Sequence, residues 1–548
     1  MFPSPAEEAA QGGRQRHPAT IIRNGPQKGL KTSKESNMNP AFTNIREMVK
    51  TQGRRFQDRI AIRFYNRDIT YRNLDEQSNR VANGLLRLGV GKGDRVCMLM
   101  DNSPEFYYVY FGIIKIGGIA GPVNCWWQAA EIRYLLKDSG AVALFCDHNY
   151  RELVDQIIGE TPDLQHVIER EATDNHFLPF EKMLTEPVSL ADAAISPDDV
   201  STIVYTSGTT GKPKGVLLTH RNILTNSWQA SLLANIDKKD VILCFLPLFH
   251  VNGLVITGTS PLSKGSQIVL RRNFSASEFW ECVAKYRVSI FSGVPTVYQI
   301  LLNTPGFEGL DVSSLRYGVC GAAPMPVETI RKFEEMFHMI IVEGYGLTES
   351  TAGATANPIN GVRKIGSIGI PFAETEIRIL DNEDKEVPQG NVGEICIRGD
   401  HVMKGYFNKP EDTAQTLRGG WLHTGDMAYK DEDGYLFIVD RKKEMVIRGG
   451  ENIYPKELEG IICLHPDVAE VAVVGVPDAI YGEEVMACLV LHPDRTLTEE
   501  AFQGWCRANM ASYKVPKYVN IRASLPRNIL GKLLKKELKV ALKSEGKI

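Results

Sequence analysis

The run Tyr205-Thr206-Ser207-Gly208-Thr209-Thr210-Gly211-Lys212-Pro213-Lys214-Gly215 packs three glycines, four Ser/Thr hydroxyls and two lysines into eleven positions. Glycine lets backbone N–H groups approach an anion closely. Hydroxyls add donors and lysines add positive charge. Such a loop can hold the phosphates of a nucleotide. Its spacing is not the Walker A pattern, because no Gly-Lys-Ser/Thr follows four residues after a glycine. A surface turn rich in Gly, Ser and Thr is the competing reading. The density of Thr and Lys directly after the strand-like run Ser201–Val204 favours phosphate.

Other segments carry chemistry of a matching kind. In Glu343-Gly344-Tyr345-Gly346-Leu347-Thr348-Glu349 an aromatic stands between glycines, where it can stack on a purine. The closing Glu349 is a carboxylate suited to a hard cation. Gly321-Ala322-Ala323-Pro324 is a strip of small residues. Trp421-Leu422-His423-Thr424-Gly425-Asp426 ends in a carboxylate that could accept both hydroxyls of a ribose. Val439-Asp440-Arg441-Lys442-Lys443 is strongly charged, and Pro526-Arg527-Asn528-Ile529-Leu530-Gly531-Lys532 sets a lysine after a glycine. Taken singly, each reads as a turn, a solvated charge or a surface lysine.

These residues need elements to position them. The chain has 548 residues, too many for one ordinary domain, and a net charge of −3 that implies no nucleic-acid partner. Its ten cysteines form no CxxC pair or Cys/His sequence cluster, which reads as buried thiols in a reducing, cytoplasmic setting. Residues 1–37 are poor in large apolar side chains, and disorder is expected there. Tyr107–Trp127 is apolar enough to prompt a membrane check. Lys115, four glycines, Pro122 and Asn124 argue instead for a helix (Pro104–Lys115) followed by a buried strand, Ile119–Val123.

Between Asp94 and Val342 strand-like runs alternate with helical patterns. Arg95–Met100, Ala141–Cys146, Val241–Phe245, Gln267–Leu270 and Ile290–Ser292 read as strands. Pro104–Ile116, Gln128–Leu136, Ser275–Lys285 and Pro326–Phe337 read as helices. That alternation predicts α/β layers with largely parallel strands. Thr375–Leu380 and Gly393–Arg398 predict a smaller β-rich subdomain. Beyond Lys443 the pattern restarts as a compact unit, with strands Val468–Val476 and Val485–Leu491 and a helix Glu499–Met510. No internal repeat is visible.

In this order, the motifs resemble those of the adenylate-forming superfamily, acyl-CoA synthetases above all. The likeness runs from about Phe42 to Leu538. It implies an α/β fold: a large N-terminal domain of layered α/β subdomains with a small β-rich subdomain, then a small mobile α+β C-terminal domain. The expected divisions are a tail at 1–37, an AMP-binding domain at 38–441 and a mobile domain at 442–548. The resemblance also implies the reaction. A carboxylate attacks the α-phosphorus of Mg-ATP, pyrophosphate leaves, and a thiol then takes the acyl group from acyl-AMP.

Residue roles follow from the same resemblance. Thr206, Ser207, Gly208, Thr209, Thr210, Gly211 and Lys214 would hold the β- and γ-phosphates. Gly321, Ala322, Ala323, Gly344, Tyr345 and Gly346 would line the adenine, with Thr348 at the α-phosphate. Glu349 and Thr206 would hold Mg²⁺. Asp426 and Arg441 would bind the ribose. Lys532 would be the adenylation lysine, and Lys443 the hinge. The family's usual Thr before that glycine is replaced here by Asn528-Ile529-Leu530, with Gly531-Lys532 still in register.

Gly449, Gly450 and Glu451 would line the path of coenzyme A. His250, Val251, Gly253, Val294, Thr296 and Val297 would form the acyl pocket, bordered by Gly321 and Ala322. No Asp stands near His250 for a substrate ammonium, so an amino acid is not expected. The sequence ends soon after Lys532 without a carrier domain, which points to free coenzyme A. The wording of the motifs is closest to medium- and long-chain fatty acyl-CoA ligases. Aromatic or alicyclic acids, and transfer to a separate carrier protein, are the alternatives. Peripheral contact with a membrane through a lipid substrate and the oligomeric state stay open.

Overall fold

The computed structural model describes residues 21–22, 41–206, 212–304, 306–323, 325–448, 451–478, 480–527 and 533–548. Most of the 1–37 tail lies outside them. Ile21–Ile22 pair antiparallel with Arg363–Lys364.

Two large sheets dominate. In the first, Arg95–Leu99 is flanked on one side by Ile119–Pro122 and on the other by Ala143–Asp147, followed outward by His166–Arg170 and Leu178–Pro179, all parallel. In the second, Val241–Cys244 is flanked by Gln267–Leu270 and by Ile290–Gly293, followed by Tyr317–Cys320 and Ile340–Tyr345, again parallel. Numbered along the chain, both follow the order 2-1-3-4-5. The sequence shows no repeat, yet the topology repeats. Buried parallel strands require only apolar runs, so similar topology needs no similar residues. In each sheet the connections leave in opposite directions on either side of the first strand. The crevice beyond the carboxyl ends at such a point is where α/β sheets bind ligands.

The helix Pro104–Lys115 shows how the layers are sealed. Ser103 caps it, its hydroxyl accepting from the Phe106 N–H at 3.2 Å, and Pro104 fits the first turn. Every residue of it is buried. Lys115, at its last turn, is buried with Nζ 2.5 Å from Asp75 Oδ1 and 2.7 Å from Asn79 Oδ1. A buried ammonium is tolerated only with such partners. Among the described residues no helix is long and apolar enough to cross a membrane.

The β-rich part is a four-stranded antiparallel sheet, Glu376–Leu380, Gly393–Arg398, Leu422–Lys430 and Leu436–Arg441. A short turn after Arg441 leads into Val446–Arg448, which already belongs to the sheet of the C-terminal domain. There Val468–Asp478 and Gly482–Leu491 form a long hairpin, with Tyr518–Ile521 added in parallel. Helices Pro455–Ile462 and Glu499–Asn509 contribute Leu458, Ile462, Phe502 and Cys506 to its apolar core.

Candidate functional site

Three anticipated residues meet at one point. Tyr345 ends the strand Ile340–Tyr345, and its hydroxyl donates to Asp426 Oδ2 at 2.6 Å. Arg441 Nε lies 3.0 Å from Asp426 Oδ1. Asp426 and Arg441 are partners in register on adjacent antiparallel strands. Burial, with the Asp426 charge beside it, holds the Tyr345 phenol far above its ordinary pKa, so it stays a donor. A carboxylate offers about four lone-pair sites, so Asp426 keeps capacity for further hydroxyls. After Tyr345 the chain must turn sharply. A Cβ on Gly346 would lie 1.9 Å from the Ala352 carbonyl oxygen, which excludes any side chain. Thr348–Ser350 then form one 3₁₀ turn.

Glu349 is tied to the other side of the site. Its carbonyl accepts the Met403 N–H at 2.8 Å, and its Oε1 accepts the Tyr406 hydroxyl at 2.7 Å. Tyr406 sits on Gly405–Tyr406, which pairs antiparallel with Lys214–Thr219. Lys214 Nζ lies 5.2 Å from the Tyr406 ring centroid and 2.8 Å from Asp412 Oδ1. Lys214–Thr219 and Val200–Thr206 form a hairpin in which Thr206 opposes Lys214. Two ends of the Gly/Ser/Thr-rich motif, Thr206 and Lys214, thus face each other across that pair of strands. Ser207, Gly208, Thr209, Thr210 and Gly211 lie outside the described residues. Glu349 Oε2 accepts no hydrogen bond among the described residues, so a hard cation such as Mg²⁺ fits there, with phosphate oxygens to complete its shell.

Ser292, Val319 and Val342 are in register on three adjacent parallel strands, as are Gly293 with Cys320 and Cys320 with Glu343. Val294, Gly321 and Gly344 therefore follow at the carboxyl ends, beside the reversal between Val241–Cys244 and Ile290–Gly293. The Gly321 N–H donates to the Gly293 carbonyl at 3.4 Å, and a Cβ on Gly321 would lie 3.6 Å from Gly344 O. Ala322 has φ 67°, the left-handed region. Sequence reasoning gave Glu343 no role. Its Oε2 accepts the Gly366 N–H at 2.9 Å, and burial pushes its carboxyl up to about 7. The only sequence signal was a charge before two glycines in a strand otherwise apolar.

His250 sits at the carboxyl end of Val241–Cys244. Its ring centroid is 4.6 Å from Phe249 and 6.1 Å from Trp126, and Trp126 stands edge-on to Phe249 at 5.2 Å. Burial lowers the His250 pKa to about 4, and its Nε2 is buried without a partner among the described residues. It is a neutral imidazole. A run of π-helix follows, Asn252–Thr259. The Ser292 hydroxyl donates to Asn252 Oδ1 at 3.1 Å, which joins this run to the strand before Val294. Val251 is partly buried against the main core, and Val294 and Val297 pack into the second core. Thr296 lies on the helix Pro295–Asn303. A Cβ on Gly253 would lie 2.4 Å from the Pro247 carbonyl oxygen, so Gly253 serves close backbone approach. Trp126, in the Cys125-Trp126-Trp127 run, was missed because aromatics beside a predicted strand read as core.

Lys443 is exposed in the turn after Arg441, where the Glu444 N–H donates to the Arg441 carbonyl at 2.9 Å. Lys442 Nζ reaches Glu394 Oε2 at 3.2 Å. The fold brings together Glu394, Cys396 and His423, which the sequence keeps apart, with Cys396 Sγ 3.3 Å from His423 Nδ1. This meeting arises only in the folded chain, from strands that pair. Lys442 and Arg418, the latter at 3.7 Å from Glu394, already supply the positive charge. Burial pushes the Cys396 thiol up to about 12, so it stays protonated.

Gly449, Gly450, Pro324 and Lys532 lie outside the described residues. Glu451 begins the strand Glu451–Ile453. An isolated antiparallel bridge joins Arg527 to Leu533. Next to it Lys535 pairs with Glu459 at 2.7 Å and Glu444 at 3.6 Å.

Asp426 is held between Tyr345 and Arg441, and Glu349 is tied through Tyr406 to the strand that begins at Lys214. The AMP-binding enzyme family model matches residues 49–407, and that for the AMP-binding enzyme C-terminal domain matches 457–532. The chain belongs to the AMP-binding enzyme family. It is an AMP-forming acid–CoA ligase, with ATP, Mg²⁺ and coenzyme A as its co-reactants. A long-chain-fatty-acid–CoA ligase of Escherichia coli O6:H1 is 35% identical over 91% of this chain and 94% of its own. A crotonobetaine/carnitine–CoA ligase of Citrobacter koseri is 35% identical over 90% of this chain and 99% of its own. The crystal structure of ATP-bound MatB from Rhodopseudomonas palustris superposes with TM-score 0.85 at 30% identity, covering 92% of this chain and 99% of that one.

Proposed function

We propose that this ligase activates medium- or long-chain fatty acids. The single observation that carries the reading is the acyl side of the crevice. Trp126, Phe249, neutral His250, Val294 and Val297 surround the reversal point, and no carboxylate or guanidinium of the described residues is paired with His250. An uncharged chain fits such a lining. The fatty-acid ligase among the relatives is consistent with it.

In the proposed site the segment from Thr206 to Lys214 grips the departing pyrophosphate. Tyr345 stacks on adenine, Asp426 and Arg441 hold the ribose, and Thr348 contacts the α-phosphate. Glu349 and Thr206 hold Mg²⁺, which neutralises phosphate charge. Most of the rate would come from positioning and charge compensation. Lys532 spans the carboxylate and α-phosphate oxygens as charge builds between them. The domain boundary falls at 441/442. Turning about Lys443 then replaces Lys532 with the Gly449–Glu451 segment, along which the thiol of coenzyme A reaches acyl-AMP. The ten free thiols suit a cytoplasmic setting.

The deciding experiment offers saturated acids of graded length, benzoate, coumarate and cyclohexanecarboxylate with Mg-ATP and coenzyme A, and follows AMP release and thioester formation. The highest kcat/KM should fall on the medium or long saturated acids. A maximum on a ring acid would replace this reading with the aromatic or alicyclic alternative. Acyl transfer to a carrier protein but not to coenzyme A would remove the second half of it.

A further inference from the structure

A cavity of about 400 Å³ lies apart from the nucleotide crevice. Its floor is apolar, made by Phe42, Phe56, Leu224, Trp228 and Ile236. Arg55, Lys238 and Lys264 stand around it, against one acid, Asp237. Asp237 Oδ1 already accepts the Lys239 N–H at 2.6 Å. Lys264 is half-buried, and burial with no neighbouring carboxylate lowers its pKa. Among the described residues no ion pair engages Arg55, Lys238 or Lys264. Leaving a half-buried ammonium without a counter-charge is costly, and an anionic ligand would offset that cost. The volume is in the range of small-molecule sites.

We propose that this cavity binds an alkyl carboxylate, its chain on Phe56, Leu224, Trp228 and Ile236 and its head group at Lys264. The inference does not rest on which acid the enzyme activates. The cavity is also connected to the crevice through the chain. Ser263 and Lys264 close the helix Ser260–Lys264, which continues without a break from the π-helical run that begins beside His250. Leu224 and Trp228 share the helix His220–Leu233 with Asn226, whose amide donates to the Gly353 carbonyl at 2.6 Å behind the Glu349 turn. Occupancy would therefore touch the element that leads back to His250 and the helix that braces the Gly353 backbone.

The test uses the full chain and a diazirine-bearing analogue of dodecanoate, photolysed without ATP and followed by peptide mapping. Labels are expected on peptides carrying Phe56, Trp228 or Ser263. Dodecanoate should compete, whereas dodecanol and dodecyltrimethylammonium should not. Lys264→Glu should weaken labelling there by about tenfold or more, the size of one lost charge-assisted contact, and leave labelling near His250 unchanged. If Lys264→Glu lowers the melting temperature, Lys264→Gln supplies the same comparison without charge reversal. Labelling confined to the His250–Val297 region would overturn the proposal. So would cavity labelling that dodecanol displaces equally, or that ignores both Lys264 variants.

Discussion

The Tyr406 hydroxyl donates to Glu349 Oε1 at 2.7 Å. That bond joins two parts of the chain that sequence motifs treat as separate. Glu349 follows the strand Ile340–Tyr345 of the second sheet, and Tyr406 borders the hairpin of the first. The bond fixes one carboxylate oxygen and leaves the other to the crevice.

Tyr406→Phe should keep the fold and loosen that carboxylate. The expected result is a several-fold rise in the Mg²⁺ concentration needed for half-maximal acid-dependent pyrophosphate exchange, in line with about 1 kcal/mol for one hydrogen bond. An unchanged Mg²⁺ dependence would separate Tyr406 from the metal.

Asp426→Ala removes the acceptor for Tyr345 and the partner of Arg441 together. Adenylation kcat/KM for ATP should fall by about tenfold or more, because the Tyr345 hydroxyl loses its acceptor and the exposed Arg441 loses its partner. KM for the acid should change little. A larger effect on the acid than on ATP would contradict the ribose assignment.

Lys443→Pro fixes φ within the turn that separates the two domains' sheets. Acyl-AMP formation should persist and thioester formation from supplied acyl-AMP should be lost. Lys532→Ala should show the opposite pair. Equal loss of both half-reactions in Lys443→Pro would place the hinge elsewhere.

Glu343 gives a pH signature. Its carboxyl titrates near 4.5 when unfolded and at about 7 when folded. The folded state thus retains a proton that the unfolded state releases. Stability from this group is complete below about pH 4.5, falls as the pH rises towards about 7, and is level above it, a change on the order of 3 kcal/mol. The melting temperature of Glu343→Gln should decline less than that of the wild type over this interval. Parallel curves would mean that Glu343 ionises freely in the folded protein.

Much of this was legible in the sequence because it depends on local pattern. Strands such as Gln267–Leu270 and Gly393–Arg398 were legible as apolar runs, and the helix read from Pro104 begins there. Glycine-rich motifs revealed where the backbone must come close, as Gly346 does beside Ala352. What stayed hidden depends on residues far apart. Nothing near Gly405-Tyr406 indicates that its phenol meets Glu349. Trp126 reads as core until Phe249 and His250 stand beside it. Glu394 and His423 meet only when their strands pair. The shared 2-1-3-4-5 order was invisible because topology is set by burial, which many residue choices satisfy.

The π-helical run Asn252–Thr259 has a consequence for how such an enzyme changes its substrate. An α-helix advances by 100° per residue, and a π-turn accommodates one residue more than the α-turn it replaces. Deleting a single residue there would let the segment relax to α-geometry while the residues up to Lys264 keep their phase, so the change is confined to the side chains of the run itself. Side chains now turned into the protein would become wall, and the present wall would turn away. One codon lost or gained could thus redraw the acyl pocket in a single evolutionary step, while ATP handling, built on other strands, stayed as it is.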